Sequence, residues 1–277
     1  MRNANTAGWL AAAPALAFTL VFFILPFAGM VLLSLTAKDA DGWTLANYQQ
    51  FFSNRSYWLG LKNSLEITAI VTLVSIVLAY PFAWILAHVV PERWQRLALL
   101  LAILPFWTSY VVRSYSWLLV LAEKGVINDL IQGLGLADAP IQMANTRFAT
   151  ITGFVHFFVM LLTLTIYANL KQLSPNYAKA AADLGASPFR TFWHVILPLT
   201  LPGIMVGAFL TFVLAIGDYI TPQILGGNNE LVLPQVIMMQ IGRRGDFPLS
   251  SALAIILMLV ITLAYVACAR WLKLERV

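Results

Sequence analysis

Charge is what this sequence has least of. Only 10% of its 277 residues are Asp, Glu, Lys or Arg, where a soluble domain carries roughly 25%. Seventeen basic and twelve acidic side chains cannot cover the surface of a water-soluble protein of this length. Cysteine is almost missing as well. Cys268 stands alone, so neither an intrachain disulfide nor a cysteine-built zinc cluster can form. No Walker P-loop occurs, so the usual means of binding and splitting ATP is lacking. There is no HExxH pair and no Ser–His–Asp constellation in a polar loop. The net charge of +5 is not gathered into basic runs, which removes nucleic acid as a partner.

What the chain does have is apolar length: 60% of its residues are hydrophobic. A membrane crossing needs about 20 mostly apolar residues. Six stretches qualify, at about 9–35, 67–87, 97–121, 148–170, 195–217 and 247–269. Within them the one charged side chain is Arg113. An open strand would leave backbone groups unpaired in lipid, so each stretch is expected to be a helix. The first run is longer than a signal-peptide core and reads as an uncleaved anchor. The expected fold class is an all-α integral membrane protein with six transmembrane helices in a single domain, 1–277.

Loop charge sets the orientation. With six spans both ends share one side. The segments 1–8, 88–96, 171–194 and 270–277 hold nine basic residues in 49 positions. The opposite segments, 38–66, 123–147 and 218–246, hold seven in 83. By the positive-inside tendency both termini are expected in the cytoplasm. Three outer segments read as amphipathic surface helices. One follows Thr44 as N-cap, with Leu45, Tyr48, Phe51 and Phe52 apolar. A second carries Val126, Ile127, Leu130, Ile131 and Leu134 on one face. A third opens at Pro234.

The cytoplasmic loop 171–194 has an internal plan. Ser174-Pro175 is a helix start, the alanine-rich NYAKAAADL favours helix, and Gly185 is a natural stop. Ser187-Pro188 repeats the start signal, and the chain then enters the fifth span through Leu197-Pro198. The expectation is a short helix held between two spans, its surface made small by Ala178, Ala180, Ala181, Ala182, Gly185 and Ala186.

Lys179-Ala180-Ala181, then Gly185, then Val195-x-Leu197-Pro198 resembles the EAA loop of inner-membrane subunits of type I binding-protein-dependent ABC importers. Lys179 stands where the family has Glu, and Val195 where it has Ile. The stretches YPFAWILA, LPFWTSYVVRSYSWLLVL and GDYITPQILGG are similar to permeases of the spermidine/putrescine branch. The resemblance implies a type I importer permease fold in the inner membrane, with 171–194 as the loop that couples to the ATPase. There Lys179, Ala180, Ala181, Asp183, Gly185, Leu197 and Pro198 are the candidate positions. It implies as partners a second permease subunit, most simply in a heterodimer, an ATP-binding subunit dimer and an external solute-binding protein. It implies no cofactor in this chain, with ATP and Mg held by the ATPase, and no enzymatic reaction. Polyamine is the implied cargo. Permeases for aminoethylphosphonate, opines, ferric iron or thiamine share much of the pattern.

For a polyamine, carboxylates and aromatic faces are the chemistry required. Asp218, Tyr219, Glu66, Trp107, Tyr110, Tyr115 and Trp117 are the candidates to line a path, with Arg113 beside them. A charge in a span needs a partner or water. Arg113 is expected to pair with Asp218 or Glu66. His156 is expected to donate an interhelical hydrogen bond, and His88 and His194 to sit at membrane borders, as are Trp9, Trp43, Trp94 and Trp271. A secondary transporter would show an internal repeat or several mid-membrane ionisable groups. An intramembrane enzyme would need a paired polar site, and Arg113, His156 and Asp218 match no nameable reaction.

Overall fold

The computed structural model describes residues 4–38, 42–228 and 230–272, apart from the side chains of 4–11 and 270–272. The ends themselves, with Arg2, Lys273 and Arg276 and the side chains of Trp9 and Trp271, lie outside the described residues. The elements are helices: α1 Ala4–Thr19, α2 Leu25–Ser34, α3 Ala46–Ser53, α4 Arg55–Trp84, α5 Glu92–Ile103, α6 Tyr110–Val120, α7 Val126–Gly133, α8 Arg147–Gln172, α9 Asn176–Asp183, α10 Pro188–Thr191, α11 Leu197–Ile216, α12 Ile220–Leu225, α13 Leu233–Met239 and α14 Phe247–Leu272. Among the described residues five continuous helical stretches are long and apolar enough to cross a membrane: Ala12–Ser34, Arg55–Val89, Arg147–Gln172, Pro188–Ile216 and Phe247–Ala269. A bent pair, Glu92–Trp107 followed by Tyr110–Val120 at 87°, reaches the same length and apolarity when its two helices are taken together.

That bend corrects the expectation of an unbroken third span over 97–121. Pro105 has no N–H to give, and Leu104–Trp107 tightens into a 3-10 turn. Thr108 and Ser109 are then extended, at ψ 146° and 131°, and a new helix begins at Tyr110.

The chain forms two compact units. Met1–Trp58 with Val236–Val260 is one; Leu59–Gln235 with Ile261–Val277 is the other. In the first, α3 is pinned by buried Asn47, whose amide donates to Ser34 O at 3.0 Å and Thr36 O at 2.6 Å. Phe51 is buried against Trp58, while Leu45 and Phe52 are exposed. The helix starts at Ala46, two residues past Thr44, whose hydroxyl accepts from Ala46 N.

In the second unit α8 is the axis. Leu162, Ile166 and Leu170 pack with Ala79, Tyr80 and Ala83 of α4 and Ile204 of α11. One helical turn or more away, Phe154 and Phe158 pack with Ile67 and Val71. The α8–α11 approach needs Gly203: a Cβ there would lie 2.1 Å from the Asn169 side chain. The segment at Pro234 is not a surface helix. Residues 232–236 are buried. Ser64 Oγ accepts from Leu233 N at 2.8 Å, and Asn63 donates to Leu231 O at 3.1 Å. These backbone groups at the helix start are satisfied by α4, which draws the segment inward. On α7, Ile127 and Ile131 are half-buried and Val126, Leu130 and Leu134 exposed. Buried Asn128 holds that segment by three hydrogen bonds to Ala122 and Ile141.

Candidate functional site: the coupling loop and the polar cluster

The loop expected to couple has the expected local architecture. Ser174 Oγ accepts from Asn176 N at 3.3 Å as α9 begins. At its end Ala186 N reaches Ala181 O at 3.0 Å and Gly185 N reaches Ala182 O at 2.8 Å. That paired closure requires a left-handed residue, and Gly185 supplies it at φ +80°. Ser187 Oγ then accepts from Arg190 N at 3.3 Å, with Pro188 in the first turn of α10. A π-helical turn, Phe192–Ile196, carries the chain to Leu197 and Pro198 at the start of α11.

The open face of α9 differs from the one read in the sequence. Lys179, Ala180, Ala182, Asp183 and Gly185 are exposed. Ala181 is turned inward, with 9% of its surface accessible. Sequence reasoning missed what stands beside the small residues: Leu184 is 89% exposed, and Phe189, Tyr177 and Trp193 are exposed too. Four large apolar side chains held out on a polar loop were visible in the sequence, but only their common exposure gives them meaning. Beneath α9 lies an apolar cavity of about 450 Å³, bounded by Trp84, Leu170, Leu173, Ala178 and Ile196.

The second site gathers around Tyr110. Its hydroxyl donates to Asp218 Oδ2 and accepts from Thr221 Oγ1. Asp218 also accepts at Oδ1 from Ile220 N at 2.8 Å, so it caps α12 as it holds the tyrosine. Arg113 lies one turn along α6 from Tyr110, over that ring at 5.7 Å and over Phe157 at 4.9 Å. Its Nη2 donates to Thr108 O at 3.3 Å. The expected ion pair is not formed. Asp218 is taken by Tyr110, and Glu66 binds Arg147 at 2.7 Å and Lys62 at 3.5 Å. The bend at Thr108 turns Arg113 onto aromatic faces instead, where a desolvated cation gains up to about 2 kcal/mol per face.

The other candidates disperse. Trp107 is 84% exposed, and Tyr115 and Tyr219 are exposed as well. Trp117 Nε1 donates to His156 Nδ1 at 3.0 Å. His156 is thus an interhelical partner, as acceptor rather than donor. Thr221, Phe157 and Arg147 were not singled out by sequence reasoning. A threonine, a phenylalanine and a lone arginine at the start of α8 carry no pattern that marks them. Among the described residues no group of three His, Cys, Asp or Glu side chains could hold a metal ion.

Three comparisons with known proteins agree with one another. The family profile described as "Binding-protein-dependent transport system inner membrane component" matches residues 69–273. The spermidine/putrescine transport system permease protein PotB of Haemophilus influenzae is 34% identical over 242 residues, covering 85% of this chain and 84% of that one. PotB of Escherichia coli is 36% identical over 233 residues, covering 83% and 84%. The inner membrane ABC transporter permease protein YdcU of Escherichia coli is 34% identical, covering 79% and 73%. Among solved structures, a chain of a bacterial ABC transporter that imports alginate superposes with a TM-score of 0.77, at 16% identity and 98% coverage of both chains. A chain of the MetNI methionine ABC transporter gives 0.61, at 17% identity, covering 80% of this chain and 98% of that one.

Proposed function

Because the chain belongs to the family of binding-protein-dependent transport inner membrane components, we propose that it is the permease subunit of an ATP-driven importer of polyamines. The observation that carries the cargo is 34–36% identity, over most of the chain, to permeases named for spermidine and putrescine. In this reading 171–194 couples to a dimer of ATP-binding subunits, which hold the ATP and Mg. The exposed face of α9, with Lys179, Ala180, Asp183 and Leu184, meets that partner. The whole chain, 1–277, acts as one permease domain with both ends in the cytoplasm, a placement supported by the excess of basic residues on that side. A second, related permease completes the path, since this chain carries one coupling loop, and an external binding protein delivers the cargo. Tyr110 and Asp218 offer a carboxylate beside an aromatic ring, the pairing that a desolvated ammonium group favours. The test is uptake. The chain with its companion permease, ATPase and binding protein, placed in cells lacking polyamine import, should take up labelled putrescine or spermidine only when ATP is supplied. Uptake of a phosphonate or an opine in place of a polyamine would refute the cargo.

A further inference from the structure

A space of about 450 Å³ that no side chain fills lies beneath α9 in the second unit. Three continuous membrane-crossing stretches meet the loop there. Trp84 and His88 come from the end of Arg55–Val89, Leu170 from the end of Arg147–Gln172, and Ile196 and Leu199 from the first half of Pro188–Ile216. The cavity therefore sits at the border of the apolar layer. Trp and Tyr favour that level, and Trp84 and Tyr177 both line it.

Its polarity changes with depth. His88, Ser174 and Thr191 stand at the loop end, and further into the spans the lining is carbon, from Leu170, Ile196 and Leu199. Leu199 is about 15 Å of helix from Pro188. It lines the cavity and is also 43% exposed, so the space opens onto the outer surface of α11 at a level within the span. Ala178 and Ala182, four apart and so on one face of α9, close the loop end. Lys179, Ala180 and Asp183 are exposed and do not line it. A protein that meets those three residues is separated from the cavity by the helix itself.

We infer that one acyl chain of a membrane phospholipid occupies this cavity, with its phosphate at the loop end beside Lys171. The inference rests on the chain crossing a membrane, not on the cargo or on the coupling role of the loop. An apolar cavity offers water no partners and takes an apolar guest. Polar groups at the border and carbon toward the bilayer centre match the build of a lipid. Charge selects the head. Lys171 is exposed in the last turn of α8, within electrostatic reach of His88. It carries no ion pair among the described residues, and no Asp or Glu among them lines the cavity. Basic side chains at this level attract anionic headgroups. The bound chain fills the space between α9 and the spans, and so sets the height at which the loop is held.

The experiment uses the full chain, with any subunits that co-purify with it, in vesicles of phosphatidylethanolamine and phosphatidylglycerol. The probe is a phosphatidylglycerol whose acyl chain ends in a diazirine. Irradiation should place label on Trp84 or Ile196, which are half-buried and line the cavity, as mapped by mass spectrometry. Ala178→Phe fills the cavity from α9 and should remove most of that label, with label on the other spans unchanged. Lys171→Glu, at an exposed position, leaves the fold in place and repels the phosphate. It should remove most of the label too, and it decides the matter if Ala178→Phe does not reach the membrane. A photoreactive benzoylphenylalanine in place of Ala178, irradiated in cells, should capture phospholipid. Capture of another protein chain at that position overturns the inference. So does label on Trp84 and Ile196 that Lys171→Glu leaves unchanged, or its absence from both residues in the wild-type chain.

Discussion

Tyr110, the first residue beyond the bend in the third span, donates its hydroxyl proton to Asp218, 108 residues further along the chain. That one bond ties the bent span to the turn between α11 and α12. Arg113, one turn further along α6, forms no ion pair with Asp218 and lies over the rings of Tyr110 and Phe157 instead.

Asp218→Asn keeps the shape of the α12 cap and removes the charge. Polyamine uptake is expected to fall about tenfold or more, equivalent to about 1.4 kcal/mol, with recovery of the ATPase unchanged. Tyr110→Phe removes a hydrogen bond to a charged group, worth about 1.5–3 kcal/mol. It should lower the thermal stability of the complex as well as uptake. Labelled-putrescine kinetics and a thermal-shift measurement on the same preparations separate the two effects. Unchanged uptake in Asp218→Asn returns that residue to a capping role.

Ala180→Arg and Ala181→Arg should fail in different ways. Ala180 is exposed, so an arginine there leaves folding within about 0.5 kcal/mol of wild type, while its bulk holds off the ATPase. Ala181 is buried, so the same side chain overpacks the loop at a cost of about 1–3 kcal/mol. Co-purification of the ATPase should be lost in both, and the melting temperature lowered only for Ala181→Arg.

Gly185→Asn should be tolerated, because asparagine accepts the left-handed conformation and no atom lies within 4 Å of the added Cβ. Gly185→Arg meets the same backbone with about 1–2 kcal/mol of strain and adds a long charged side chain. It should abolish coupling. Normal ATP-driven uptake by Gly185→Arg would sink the assignment of 171–194 as the coupling loop. Lys179→Glu, on an exposed position, should leave both membrane level and uptake unchanged.

Leu184→Asp probes the apolar contribution to the same contact. At 89% exposure the leucine buries little of its surface in this chain, so the substitution should leave the stability of the lone chain within about 0.5 kcal/mol. Binding of the ATPase, measured by co-purification from detergent, should weaken at least tenfold.

Gly203→Val puts a branched side chain where Asn169 already stands. It should force α8 and α11 apart and destabilise the protein by about 1–3 kcal/mol. Thermal aggregation of the purified chain is the readout. An unchanged aggregation temperature would mean that Asn169 can turn away without loss.

Apolar block length alone pointed to the five continuous helices long enough to cross a membrane, though not to the break in the third block. About 20 residues without charge have no alternative in lipid, since helical hydrogen bonding is local and closes within each block. The local architecture of the loop 171–194 was legible for the same reason. Ser174-Pro175, Gly185 and Ser187-Pro188 act through their own backbones and neighbours, within four residues. Pro105 was equally visible, yet a proline in a span can kink or merely be tolerated, and the 87° bend depends on what the next helix packs against. The partners of Arg113, Asp218 and Glu66 could not be read along the chain. The sign of a charge names every opposite charge as a candidate, and only the packing of α6 against the α11–α12 turn and of α4 against α8 gives Asp218 to Tyr110 and Glu66 to Arg147. Burial of Ala181 and exposure of Leu184 are likewise tertiary. Both residues suit a helix, and which one faces inward is set by the spans against which α9 rests.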